Sequence, residues 1–74
     1  MTDHIWTDGE YCVDVIEERH TYDGWVYRKG GEIKVHCFSI PLSMDSLKYI
    51  LDHVGSIKGL LNAVEQRVQL GECI

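Results

Sequence analysis

The sequence predicts an α+β fold: a three-stranded antiparallel sheet followed by a long or broken C-terminal helix packed on one face. Three observations carry this. Leu47, Ile50, Val54, Ile57, Leu61, Val64 and Val68 recur at alternating spacings of three and four, which puts them on one stripe of a helix. Tyr11 to Glu18 alternates residue by residue, the period of a strand. Gly30-Gly31 separates two runs rich in aromatic and β-branched residues, as a hairpin turn would.

Taken in order, residues 1–9 have no periodicity and are expected to form a loose arm. Residues 10–40 form the β-meander. Its first strand presents Tyr11, Val13 and Val15 on one side, and Cys12, Asp14 and Ile16 on the other. Asp23-Gly24 reads as a turn, Gly24 to Lys29 as the second strand and Glu32 to Ile40 as the third. Pro41 stops the ladder. The helical region spans 43–70, with Ser43 as the expected N-cap and Asp45 in the first turn. As one helix it runs about 40 Å, longer than a strand of seven residues at roughly 23 Å. Either it overhangs the sheet, continuous or gently kinked, or it breaks at Gly55-Ser56. The unbroken three-four spacing through Gly55 favours continuity.

Register sorts the faces. A two-residue turn at Gly30-Gly31 sets Lys29 opposite Glu32, Tyr27 opposite Lys34, Trp25 opposite His36, Val26 opposite Val35 and Gly24 opposite Cys37. The expected core is Val13, Val15, Val26, Ile33 and Val35 against Leu47, Ile50 and Leu61. The other face then carries Trp25, Tyr27, Lys34, His36 and Phe38, which are the candidate partner-binding residues. One helical layer covers one side of a sheet, and an exposed aromatic cluster of this size is a contact surface. It is covered by the N-terminal arm with Ile5 and Trp6 as lid, met by a protein partner, or stacked on by single-stranded nucleic acid.

The chain of 74 residues is read as a single small domain, 45% hydrophobic, with a thin core. Its net charge is −5, and residues 1–23 alone hold −6. Asp8, Glu10, Asp14, Glu17 and Glu18 are the candidate acidic surface, either a solubilising surface or a face for a basic partner. Duplex-DNA binders usually have the opposite balance, so nucleic acid is not expected as a partner. Cys12, Cys37 and Cys73 have no framework spacing and read as free thiols in a reducing compartment. The Met1 end lacks a signal-peptide pattern and no apolar run suits a membrane span, so a cytoplasmic location is expected.

The chemistry candidates fail on geometry. His36 and Cys37 are neighbours in a strand and face apart, and no metal-ligand spacing occurs. Gly30-Gly31 lacks the lysine and the following helix of a phosphate loop. No catalytic residue, metal or cofactor is expected, and so no enzymatic activity. The surplus helix stripe offers a homodimer contact at Leu60, Val64 and Val68. In element order, small size and acidic N-terminal third, the chain is similar to small phage-encoded inhibitors of host defence proteins. That resemblance is one of composition and βββα order, not of motif. The expected function is non-enzymatic protein binding, as a small inhibitor occupying a surface of a larger protein. The alternative is a small homodimeric nucleic-acid-associated or regulatory protein using the same aromatic face.

Overall fold

A computed structural model describes residues 2–71. Four strands and a helix follow in order: β1 (Thr2–Thr7), β2 (Tyr11–Glu17), β3 (Thr21–Arg28), β4 (Lys34–Pro41) and α1 (Ser46–Gln69). The strands form an antiparallel meander in spatial order β1-β2-β3-β4. Helix α1 packs on one face, where Val13, Val15, Val26, Phe38 and Ile40 meet Ile50, Ile57 and Leu61.

The sheet therefore has four strands rather than three. The segment expected to be a loose arm pairs with β2, from Thr2 opposite Ile16 to Thr7 opposite Cys12. An irregularity between His4 and Trp6 inserts Ile5 as an extra residue. That bulge breaks the alternation by which a strand is recognised. It also turns Ile5 and Trp6 toward the core cluster, where both are half-buried. Neither forms a lid over Trp25. Lys58 of α1 lies 5.4 Å over the Trp6 ring, which fastens the edge strand to the helix.

The β3–β4 register is as expected at three pairs: Tyr27 with Lys34, Val26 with Val35, and Trp25 with His36. It then shifts. Gly24 pairs with Phe38, not Cys37, so Cys37 is the extra residue of a second bulge. The shift carries Phe38 from the open face to the core, where it is 5% exposed and packs on the Tyr49 ring at 5.0 Å. Phe38 is thus not a surface residue. Gly24 makes this arrangement fit, because a Cβ there would fall 2.1 Å from the Phe38 Cε2. The turn itself is centred on Lys29 and Gly30. Gly31 N–H bonds the Arg28 carbonyl at 2.7 Å, and Gly30 holds a φ of 77° that suits glycine. Ile33 and Val35 flank the core half-buried instead of filling it.

Helix α1 starts three residues later than its expected cap. Asp45, not Ser43, is the N-cap: its Oδ1 accepts from Leu47 N–H at 3.0 Å and Lys48 N–H at 3.2 Å. The helix is continuous through Gly55 and kinks at His53, whose φ of −121° and ψ of 15° leave the helical region. His53 Nδ1 bonds the Tyr49 carbonyl at 3.0 Å and its ring stacks on Tyr49 at 4.3 Å. That side chain occupies the carbonyl that a regular helix gives to the His53 backbone N–H, one of the known causes of a kink. The buried stripe moves round the helix at this point. Before it, Ile50 is buried with Ser46 and Tyr49 beside it; after it, Ile57 and Leu61 are buried with Lys58, Asn62 and Glu65 beside them. Leu47, expected in the core, consequently stands 44% exposed. At about 36 Å for 24 residues the helix outruns its strands, so Val68 too is exposed. No helix among the described residues is long and apolar enough to cross a membrane.

Candidate functional site

The sheet face opposite α1 bears no helix. Strand alternation places His4, Cys12, Asp14, Ile16, Asp23, Trp25, Tyr27, Lys34 and His36 on it. Four of the five candidate partner-binding residues are brought together here. Trp25 and His36 meet edge to face at 5.1 Å, and Lys34 Nζ lies 5.1 Å over the Tyr27 ring. Cross-strand leaning of this kind leaves Trp25 and Tyr27 half-buried without any covering layer. The Trp25 indole Nε1 is shut from solvent and has no hydrogen-bond partner among the described residues. Such an orphan donor is uncommon and costs stability.

Asp14 is the hub of this face. Opposite Trp25 on β2, it contacts His4 of β1 at 2.9 Å and Lys34 of β4 at 3.8 Å. On β3, burial first and the Asp14 carboxylate second push the Tyr27 phenol up to about 12. One carboxylate thereby interacts with all three other strands. A second pair, His36 Nε2 and Asp23 Oδ1 at 3.3 Å, joins β4 to β3. His4 and Asp23 were not singled out from the sequence. The alternation of β2 put Asp14 on this face, but His4 could align with it only once residues 2–7 were known to be a strand.

The acidic residues do not form one surface. Asp8 pairs with Lys58 and accepts from Tyr11 N–H at 2.9 Å and Glu10 N–H at 3.0 Å, contacts that hold its carboxyl well below the usual range. Glu10 pairs with Arg28. Arg28 also binds Glu65 at 2.9 Å, lowering that carboxyl, and lies 4.6 Å over the Tyr11 ring. This cluster ties the β1–β2 turn and the end of β3 to α1. Asp14 belongs to the open face, and of the five candidates Glu17 and Glu18 alone stand exposed without an ion pair among the described residues. The candidate acidic residues are dispersed because Asp8, Glu10 and Asp14 each tie one element of the chain to another.

The candidate dimer residues split: Leu60 is 39% and Val68 44% exposed, whereas Val64 is half-buried. Leu51, 56% exposed, joins Leu47 on the outer helix surface. A shallow hollow of about 350 Å³ lies beside the first turns of α1, lined by Met44, Tyr49 and His53 among others, and holds none of the sequence-derived candidates. Cys12 is buried and Cys37 half-buried, both as free thiols, and burial pushes the Cys37 thiol up to about 11. Cys73 lies outside the described residues. Among the described residues, no group of three or more His, Cys, Asp or Glu side chains is placed to hold a metal ion. No family model, no curated protein and no solved structure matches this chain.

Proposed function

We propose that the protein is a non-enzymatic binding module that engages a larger partner protein through the open face of its sheet. The observation that carries this reading is the ladder of Trp25, Tyr27, Lys34 and His36 on a sheet face that no element of the described chain covers. Tryptophan and tyrosine held by cross-strand neighbours lose little entropy on binding, and hot spots are rich in them. An inhibitor that occupies a surface of its target, cytoplasmic and of phage or mobile-element origin, is the form of such a module that we favour. A pull-down from lysate, followed by reconstitution of the captured protein with pure components, tests it. Trp25→Ala should weaken the reconstituted complex at least tenfold, the loss of a hot-spot side chain. An unchanged affinity, with the mutant folded, refutes the assignment of the face.

Self-association is the second reading, supported by exposed Leu47, Leu51, Leu60 and Val68 on α1. Sedimentation across a dilution series separates the two. A dimer that Val68→Asp converts to a folded monomer assigns the helix to a second copy.

A further inference from the structure

The open face gathers two of the four histidines of the chain, and each is set against a carboxylate on the neighbouring strand. We infer that the charge of this face is set by the protonation of His4 and His36, and the surroundings of Trp25 at its centre by that of His36. With both imidazoles neutral, Asp14 and Asp23 against Lys34 leave these strands at −1 on that face; with both protonated the sum is +1. Histidine is the ordinary side chain that changes charge between about pH 5 and 8.

The groups facing each ring are few. His4, on the edge strand, meets Asp14 of β2, whose carboxylate is shared with Lys34 of β4 and sensed by Tyr27 of β3. His36, on the opposite edge, meets Asp23 and Trp25 of β3. An imidazolium at His36 would make a charge-assisted bond to Asp23 while standing 5.1 Å from the Trp25 ring. The indole quadrupole responds to a cation at that range. The other two histidines lack this setting: His20 is exposed in the β2–β3 turn, and His53 is bonded to the Tyr49 carbonyl on α1. Given the proposed role of the face, on which this consequence alone rests, affinity for a charged partner changes with pH.

The test needs no partner, so it stands or falls apart from the proposed function. Two-dimensional NMR follows the indole N–H of Trp25 and the Cε1–H of each histidine from pH 8 to 5, with Trp25→Phe for assignment. The expected result is a Trp25 transition whose midpoint coincides with that of His36. His36→Gln should abolish it, while His4→Gln and His53→Gln leave it in place. A Trp25 resonance that stays flat while His36 titrates overturns the inference, as does a transition that survives His36→Gln. His4 or His36 remaining neutral at pH 5 overturns the charge reversal.

Discussion

Replacing Gly24 by alanine tests the feature that most distinguishes this sheet from its sequence-derived expectation. A Cβ at Gly24 would stand 2.1, 2.2 and 2.6 Å from Phe38 Cε2, Cζ and Cδ2. Ordinary carbon contacts lie at about 3.5–4.0 Å, so the ring must retreat by roughly 1.5 Å. It has little room, because Phe38 is 5% exposed and Tyr49 lies against it at 5.0 Å. Overpacking costs about 1–3 kcal/mol, and this case belongs at the upper end. Alanine restricts the unfolded chain and returns about 0.4–1 kcal/mol. The net loss is about 2 kcal/mol, which in a chain of this size lowers the unfolding midpoint by on the order of 10 °C. Thermal and urea unfolding followed by circular dichroism read it. The decisive comparison repeats the substitution in a Phe38→Leu background, where the ring is gone and the cost should fall to a few tenths of a kcal/mol. An unchanged or raised midpoint for Gly24→Ala refutes the packing of Phe38 on Gly24. So does an equal cost in both backgrounds.

Two further substitutions address the helix cap and the hub of the open face. Asp45→Ala should cost about 1 kcal/mol through the lost N-cap, with Ser43→Ala within a few tenths, both read by urea unfolding; the reverse order would restore Ser43 as the cap. Asp14→Asn should bring the Tyr27 phenol part of the way down from about 12 toward 10.0, because burial remains and the carboxylate is lost. A Tyr27 titration unmoved in NMR would refute that cause. The sign for stability follows: a raised folded value means the native state favours the neutral phenol. That contribution is whole below pH 10 and is lost as pH rises through about 12.

The α+β class, the order of β2, β3 and β4 and the long helix were legible because each rests on a local period. Tyr27, Val26 and Trp25 have the partners that a turn at Gly30-Gly31 implies, although the chain turns on Lys29-Gly30 and residues 31–33 take up the difference. Asp23-Gly24, read as a turn, instead lies inside β3, with the β2–β3 turn at residues 18–20. Elsewhere what misled was a residue that interrupts a period. Ile5 interrupts β1, which hid a strand; Cys37 interrupts β4, which sent Phe38 to the wrong face; His53 interrupts α1, which exposed Leu47. The two strand breaks have no local signature, because each answers a tertiary demand: Ile5 and Trp6 reaching the core, and Phe38 filling the space over Gly24; the helix break is local, His53 bonding and stacking on Tyr49 four residues before it. Trp25, Tyr27, Lys34 and His36 keep one common face because they lie on the unbroken side of the β4 bulge. Phe38 lies beyond it and was lost.

The same bulges bear on how the sheet can meet a partner. A partner can add a strand to an open edge or dock on a face. Edge addition needs a regular row of free backbone groups, and bulges are among the devices that blunt such edges. Here both outer strands are interrupted, β1 beside His4 and β4 beside His36. Pro41 further removes a donor at the end of β4. Each edge also holds a histidine against a carboxylate of the inner strand, which ties edge side chains inward across the open face. These features weigh against strand addition and agree with the proposal that a partner docks on the face. That face brings its aromatic rings already ordered by their neighbours, over an indole N–H that no group among the described residues satisfies.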